Sequence, residues 1–261
     1  MPENRFKQGE DMKKTEQPIG KVGTYAYQTE VYSLDFRGRL TIPTLGDYLL
    51  HAATCHAAER GYGYEDMEAR NTAWVLSRLA IEISDEIRLS EPIRIMTWVE
   101  RVERIFTYRC FEITTPAGET LGYARSVWAA IDKTTRRPVS LVETGLSDYL
   151  TLRPCPVSLS GKPAAAEQSP DAEAMSYTVK YSDLDINGHL NSIKYMEAML
   201  DLFDIETYRT RSIARFEIAF LAEGRYGMRL DLYRRSLGDT RYATAICHEG
   251  KAVCRAEVEF R

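Results

Sequence analysis

The chain has 261 residues, 44% of them hydrophobic, which is enough to bury the core of one large domain or of two ordinary ones. Its formal net charge of −4 at pH 7 excludes a general attraction to nucleic acid or anionic lipid, so an acidic partner would need a local basic patch. Apolar runs in the sequence fall short of the ~20 residues that span a bilayer. We therefore expect no nucleic-acid partner and no membrane partner.

The N-terminal residues and the cysteines bear on the cellular compartment. Residues 1–20 mix acidic and basic side chains and lack the apolar core of a signal peptide, which predicts a flexible tail on a cytoplasmic protein. The five cysteines show no C-x-x-C spacing and are odd in number. This pattern predicts reduced thiols, without a disulfide framework or a zinc site. We expect no metal and no cofactor.

Residues 21–150 are predicted to form a first α+β repeat. Alternating apolar and polar residues predict a strand over 24–36, and helical spacing of apolar residues predicts a buried helix over 44–60. One helix followed by antiparallel strands predicts a sheet curled around that helix. The four strand patterns that follow the helix lie at residues 72–83, 92–103, 106–114 and 119–132.

Residues 151–176 are rich in Pro, Ser, Ala and Gly and are predicted to be an interdomain linker. Residues 177–261 then repeat the first pattern, with a helix predicted over 192–203 and Asn191 as its N-cap. A shift of about 147 residues lays Tyr195 on Tyr48 and indicates a weak internal repeat. The strands predicted in this half lie near residues 177–181, 212–222, 228–236, 240–248 and 252–261.

Three polar residues stand at alternate positions before the second helix: Asp185, Asn187 and His189. In an extended segment, alternate side chains project to the same face, so these groups would share one space beside the positive end of the helix dipole. Together they offer a carboxylate, an amide donor and a group that exchanges protons near neutral pH. A polar turn that only caps a core helix is the alternative, because Asn-Gly is a common turn dipeptide.

The segment that contains these residues, 184–195, reads Leu-Asp-Ile-Asn-Gly-His-Leu-Asn-Ser-Ile-Lys-Tyr. It resembles the Asp-x-Asn-x-His-x-Asn-x-x-Lys-Tyr motif of the plant-type acyl-acyl-carrier-protein thioesterases of fatty acid synthesis. Residues 73–79 and 126–138 resemble a strand and a strand with a basic turn of the same family, and the resemblance extends from about residue 25 to residue 261. It implies a tandem hotdog fold, hydrolysis of fatty acyl thioesters, and acyl carrier protein as partner.

The resemblance also implies a catalytic glutamate after the second helix, which we assign to Glu223; by itself this residue would be interpreted as a solvated Glu at a strand end. Many plant members carry Cys directly after this Glu, whereas Gly224 stands here, so a thiol nucleophile is not available. Glu223 is predicted to act as a base toward water, directly or through His189. Asn187 would position the carbonyl or the water, and Asp185 would orient the network. Direct attack by Asp185, giving a transient anhydride, stays open.

The shift of 147 residues predicts a division of labour between the repeats. It places Gly38, Leu40 and Ile42 at the positions of the three polar residues, so the first repeat would shape an apolar acyl tunnel while the second carries the chemistry. The candidate tunnel residues are Ala52, Ala53, Trp74 and Leu76. The residues predicted to dock the acidic carrier protein are Lys133, Arg136 and Arg137, on a turn before Pro138.

Two other classes of function stay open at this point. An acyl-CoA thioesterase or a hotdog hydroxyacyl dehydratase would also bind a thioester-linked acyl chain, although the dehydratase motif lacks the Asp-x-Asn-x-His order. A non-enzymatic acyl-binding regulator would be expected to carry a DNA-binding segment, and no helix-turn-helix pattern precedes residue 25. The sequence leaves open the acyl chain length, the choice between carrier protein and coenzyme A, and whether two copies form a homodimer.

Overall fold

The computed structural model describes residues 20–142 and 144–261, so the tail predicted over residues 1–20 lies, apart from Gly20, outside the described residues. Among those described, no helix combines the length and the apolar character needed to cross a membrane. The helices are α1 (Ile42–Ala58), α2 (Tyr64–Ala69), α3 (Ser192–Leu200) and α4 (Ile205–Thr210). The strands are β1 (Val22–Gln28), β2 (Thr72–Ile83), β3 (Pro92–Val102), β4 (Phe106–Thr114), β5 (Thr120–Asp132), β6 (Glu173–Thr178), β7 (Ile213–Phe220), β8 (Arg229–Ser236), β9 (Arg241–His248) and β10 (Lys251–Phe260).

These strands form one antiparallel sheet in the order β1-β3-β4-β5-β2-β7-β10-β9-β8-β6. The two halves of the chain meet where β2 pairs with β7, with Leu79 opposite Ile218. Each half contributes five strands, and its inner face packs on one central helix, α1 in the first half and α3 in the second. The predicted α+β tandem hotdog fold is confirmed.

Both central helices begin at capped N-termini. The Thr41 hydroxyl accepts a hydrogen bond from the Thr44 N–H and caps α1. The helix therefore begins at Ile42, two residues before the predicted start at Thr44. The Asn191 side chain accepts from the Ile193 N–H, which confirms the predicted cap of α3. These caps place each helix N-terminus directly after a polar loop, and the second of those loops carries the predicted reactive residues.

Residues 151–172 run along the outer face of the sheet, on the side away from the central helices. Cys155 is buried against Trp98 of the first half, and Ala166 is buried against Ala243 of the second. The segment predicted as a linker, 151–176, therefore packs on both halves, and its residues 173–176 belong to β6. Its role as a domain boundary stays a prediction.

The internal repeat has a shift of 150 residues, which places the antiparallel bridge between Leu184 and Leu190 on the one between Leu34 and Leu40. Because the shift is 150 and not about 147, the predicted alignment of the three polar residues with Gly38, Leu40 and Ile42 is wrong. Asp185, Asn187 and His189 align instead with Asp35, Arg37 and Arg39. The loop that contains Asp35 follows β1, which ends at Gln28. The strand predicted over 24–36 therefore extends too far toward the C-terminus.

Candidate active site

The loop before α3 is organised by the carboxylate of Asp185. Its Oδ1 accepts hydrogen bonds from the backbone N–H groups of Asn187 at 2.8 Å and His189 at 3.0 Å. Gly188 has a φ of 73°, in the left-handed region that glycine adopts without strain, and this lets the chain reverse. The segment is therefore a tight turn, as in the alternative interpretation of the sequence, and not an extended segment, and Asp185 bonds to its own loop.

His189 forms a pair with Glu223 from the segment after β7. The His189 Nε2 lies 3.1 Å from the Glu223 Oε2. An antiparallel bridge between His189 and Arg225 brings the two segments together, and the Leu190 N–H donates to the Gly224 carbonyl at 2.8 Å. Both side chains of the pair are partly exposed, at 22% for His189 and 33% for Glu223, so water can reach them.

Glu223 also contacts two arginines. Arg136, on the turn after β5 in the first repeat, donates to its Oε1, and Arg225 donates to its Oε2 at 3.5 Å. Both carboxylate oxygens are thus engaged. The sequence predicts carrier docking for Arg136 and misses this contact, because no sequence signal connects two residues that lie 87 positions apart.

Gly224 is required by close packing behind the site. Its N–H donates to the hydroxyl of Tyr195, a buried residue of α3, at 2.7 Å. A Cβ at this position would lie 2.9 Å from the Tyr195 hydroxyl oxygen and 3.0 Å from the Leu190 Cβ, closer than van der Waals contact allows. A cysteine at this position would require the side chains of Tyr195 and Leu190 to shift, and no cysteine in the described part of the chain lines the cavity beside the site.

That cavity, of about 230 Å³, lies inside the first repeat between the C-terminal half of α1 and the inner face of the sheet. Its lining is mostly apolar and includes Ala53 and Ala57 of α1, Trp74 of β2 and Trp128 of β5. Asn187 is the one described residue of the second repeat on this lining. The polar loop of the second repeat and the interior of the first therefore meet at Asn187.

The structure separates the four residues predicted for the acyl tunnel into two pairs. Ala53 and Trp74 line the cavity. Ala52 and Leu76 are buried in the neighbouring core and do not contribute to the lining among the described residues. The tunnel assignment itself stays a prediction.

The three basic residues predicted to dock a carrier protein also differ in their surroundings. The Lys133 Nζ lies 2.7 Å from Glu68 Oε1, and both residues line the cavity. Arg136 bonds to Glu223, whereas Arg137 is exposed. Of the three, Arg137 is the one whose side chain makes no hydrogen bond or ion pair within residues 20–142 and 144–261.

The first repeat contains a counterpart of the site without its imidazole. The Asp35 Oδ1 accepts from the Arg37 N–H at 2.8 Å and the Arg39 N–H at 3.0 Å, as Asp185 does in its own loop. Arg39, at the position of His189, is buried and lies 3.3 Å from Glu86. The bridge between Arg39 and Arg88 matches the one between His189 and Arg225, so Glu86 stands two residues before its bridge as Glu223 does. Arg39 also donates to the Tyr208 carbonyl at 3.0 Å, across the repeats. The loop of the first repeat thus has the same hydrogen bonds as the loop of the second, although Arg39 replaces the histidine that could exchange a proton near neutral pH.

The arrangement provides a proton-exchanging pair and an amide beside an apolar cavity, which are the groups that hydrolysis of an acyl thioester requires. Within the described ranges, no three His, Cys, Asp or Glu side chains come together in a way that could hold a metal ion. The model of the acyl-ACP thioesterase N-terminal domain matches residues 20–149, and that of the C-terminal domain matches residues 166–261. The chain belongs to the acyl-ACP thioesterase family, whose members are thioester hydrolases.

Individual relatives agree with this assignment. The chain is 24% identical over 221 residues to a chloroplastic palmitoyl-acyl carrier protein thioesterase of Gossypium hirsutum, covering 78% of this chain and 52% of that protein. It thus spans about half the length of the curated plant relatives it matches. An acyl-ACP thioesterase structure from Bacteroides thetaiotaomicron is 41% identical, with a TM-score of 0.86 over 92% of this chain and 98% of that one. The 12:0-ACP thioesterase of Umbellularia californica, at 19% identity, shares the fold, with a TM-score of 0.81 over 93% of this chain and 98% of that one.

Proposed function

We propose that this protein hydrolyses the thioester of fatty acyl-acyl carrier protein, releases free fatty acid and so ends acyl chain elongation. The observation that carries the proposal is the His189–Glu223 pair. Its histidine lies in the same loop as Asn187, where the cavity of the first repeat meets the second. Family membership supports thioester hydrolysis, and the names of the matched relatives support acyl carrier protein as the partner.

In the proposed mechanism Glu223 acts through His189. In the neutral tautomer with hydrogen on Nε2, His189 donates to the Glu223 Oε2, and its Nδ1 is left as a proton acceptor. A water molecule gives a proton to His189 while its oxygen attacks the thioester carbonyl carbon. The C–S bond then breaks, and His189 returns the proton to the departing thiolate. Direct use of Glu223 as the base is less favoured, because both of its oxygens already accept hydrogen bonds.

Asn187 and Asp185 have different roles in this mechanism. The Asn187 amide, on the lining of the cavity, can donate to the thioester oxygen as negative charge develops there. Asp185 holds the loop, and Asp35 makes the same two bonds in a loop without a proton-exchanging residue. This comparison supports a positioning role for Asp185 and disfavours its direct attack on the carbonyl.

The test is a set of acyl-carrier-protein thioesters of graded length, assayed in parallel with the matching acyl-CoA thioesters and a β-hydroxyacyl thioester. We expect release of free fatty acid with higher kcat/KM for the carrier-linked series. Enoyl product from the β-hydroxyacyl substrate would identify a dehydratase. Absence of hydrolysis by folded protein would contradict the proposal, and higher kcat/KM for acyl-CoA would make it an acyl-CoA thioesterase. The cytoplasmic location and a homodimer stay predictions.

Docking of the acidic carrier is best tested at Arg137, since Arg136 is engaged by Glu223 and Lys133 by Glu68. We expect Arg137→Glu to raise KM for carrier-linked substrate roughly two- to five-fold and to weaken its salt dependence, because an exposed charge contributes modestly to association. KM for acyl-CoA should hardly change. Arg209→Glu, an exposed arginine of α4, is the matched control. Equal KM values for Arg137→Glu and wild type on the carrier-linked substrate would remove Arg137 from the docking surface.

A further inference from the structure

The inner part of the cavity in the first repeat is polar, although the rest of its lining is mostly apolar. Along β4, Thr107 and Arg109 share the face that packs toward α1 with Phe111 and Ile113, which belong to the apolar core. Thr107 and Arg109 line the cavity at 6% and 7% exposure, and the α1 residue His56 lines it at 0%. A hydrocarbon chain needs none of these groups.

Arg109 is a buried cation without a carboxylate partner among the described residues. Its Nη1 donates to the His56 Nδ1 at 3.0 Å and to the Thr97 hydroxyl at 3.2 Å, and these are its hydrogen bonds in that part of the chain. Burial, together with the charge of Arg60, lowers the pKa of Arg109 to about 10, so the guanidinium is still charged at neutral pH. Unpaired buried charges are costly, so this site favours an incoming anion.

His56 does not supply a balancing charge. Burial, followed by the charges of Arg109 and Arg60, lowers the pKa of His56 to about 3, so the ring is neutral at physiological pH. Among the described residues, the one carboxylate paired with Arg60 or Arg109 is Glu59. Its Oε2 lies 3.0 Å from the Arg60 Nη1, and its side chain is 49% exposed. Two guanidinium groups therefore face one half-exposed carboxylate, and the inner end of the cavity carries net positive charge.

Thr107 adds a second, independent observation. Its hydroxyl oxygen is buried and has no hydrogen-bond partner within residues 20–142 and 144–261. Buried polar groups are normally paired, because an unpaired one has lost its hydrogen bonds to water without replacement. Thr107 lines the same cavity as Arg109, so rotation of its side chain about χ1 would present the hydroxyl to a ligand atom there.

The polar group is more deeply buried than Asn187, which lines the same cavity. Asn187 is exposed, whereas Thr107 and Arg109 are buried. A chain held at Asn187 would thus meet the polar group with its far end.

We propose that this cavity accepts an acyl chain with a carboxylate at its far end, the mono-thioester of a dicarboxylic acid, and that Arg109 and Thr107 bind that carboxylate. The inference rests on the proposed thioester hydrolysis and specifies the substrate class. The Arg109 guanidinium donates charge-assisted hydrogen bonds to the carboxylate oxygens, and the Thr107 hydroxyl donates another. A terminal methyl group would leave both residues unpaired.

The first experiment measures binding without turnover. The methyl ester of a medium-length fatty acid and the monomethyl ester of the dicarboxylic acid of the same length are titrated against the protein, following the fluorescence of Trp74 and Trp128, which line the cavity. We expect the carboxylate-bearing ester to bind roughly 10- to 100-fold more tightly, as charge-assisted hydrogen bonds predict. Arg109→Met should abolish or reverse this preference. Arg101→Met, an exposed arginine of β3, is the control and should leave it unchanged.

Thr107→Val gives a second variant in case Arg109→Met does not fold. Valine has nearly the shape of threonine and removes a hydroxyl that has no partner, so the free protein should be at least as stable as wild type. Binding of the carboxylate-bearing ester should nevertheless weaken roughly 3- to 10-fold, while binding of the plain ester improves or stays the same. Equal affinity of wild type for the two esters, or a preference that survives in both variants, would overturn the proposal.

The second experiment separates this inference from the proposed function. The kcat/KM values of wild type and Arg109→Met are compared for carrier-linked ω-carboxyacyl, ω-hydroxyacyl and unsubstituted chains of equal length. We expect wild type to prefer them in that order. Hydrolysis of unsubstituted chains with no response to a terminal carboxylate would support the function and overturn the inference. Preferential binding of the carboxylate ester without hydrolysis of any thioester would do the reverse.

Discussion

Replacing Glu223 by Gln is expected to lower kcat by roughly 10²-fold or more, with a smaller effect on KM, because the pair that takes the proton from water is lost. Gln keeps the shape of the side chain and removes the charge that holds His189 in place. The measurement is steady-state hydrolysis of a carrier-linked thioester by protein whose thermal unfolding shows it to be folded. His189→Ala should cause a loss of similar size.

The double variant and an internal control sharpen this test. Since the two residues act as a unit, Glu223→Gln combined with His189→Ala should be little worse than either change alone. Glu86→Gln removes the corresponding carboxylate of the first repeat and leaves the buried Arg39 without it, so it should lower Tm and hardly alter kcat. Near wild-type turnover of folded Glu223→Gln, or an equal loss of kcat in Glu86→Gln, would exclude the assignment.

Enlarging Ala53 to Phe should shift substrate preference toward shorter acyl chains. Ala53 lines the cavity, and a phenyl ring would fill space that the far end of the chain needs. Each buried methylene is worth ~0.8 kcal/mol, so a chain that leaves about three methylenes outside loses roughly 50-fold in kcat/KM. The shortest accepted substrate should react nearly as in wild type. The measurement is kcat/KM across a series of chain lengths.

Ala52→Phe is the matched control for this prediction. Ala52 is fully buried beside Ala53 but lies in the core and not on the cavity. Its enlargement should lower stability through overpacking and leave the order of chain-length preference unchanged. If Ala53→Phe lowered kcat/KM by the same factor at every chain length, the acyl chain would lie outside the first repeat.

Local sequence patterns predict most of the secondary structure well. β2 and β4 occupy the predicted residues 72–83 and 106–114, because alternation of apolar and polar side chains is a direct consequence of one face being buried. The cap of α3 at Asn191 follows from the same kind of local chemistry. The tandem hotdog fold follows from the family resemblance together with this pattern of one helix and several strands in each half.

The register of the repeats is harder to predict. The shift of 147 residues aligns apolar residues of the two helices, whereas the true correspondence is determined by the hydrogen bonds of Asp35 and Asp185 in the loops that precede them. In those loops Arg37 and Arg39 replace Asn187 and His189, so residue identity conceals the common conformation. Loop hydrogen bonding leaves no periodic signal in a sequence.

The candidate site is predicted only in part for a similar reason. The sequence identifies His189 and, through the resemblance, Glu223, and the structure places them within hydrogen-bond distance of each other. The contact of Arg136 with Glu223 and the lone charge of Arg109 depend on side chains from distant strands, and neither residue stands in a recognisable motif. Such contacts follow from the sheet topology and become visible only in three dimensions.

The fusion of two hotdog halves into one chain has a consequence for how such a protein can change. In a symmetric dimer of identical subunits, every substitution appears in both copies, so a change that adapts one pocket also alters the other. Here Arg39 stands in the first half at the position of His189 and donates to the Tyr208 carbonyl of the second half. The second half keeps its own imidazole at His189. Continuous pairing of β2 with β7 preserves the dimer-like geometry while the sequences of the two halves diverge independently.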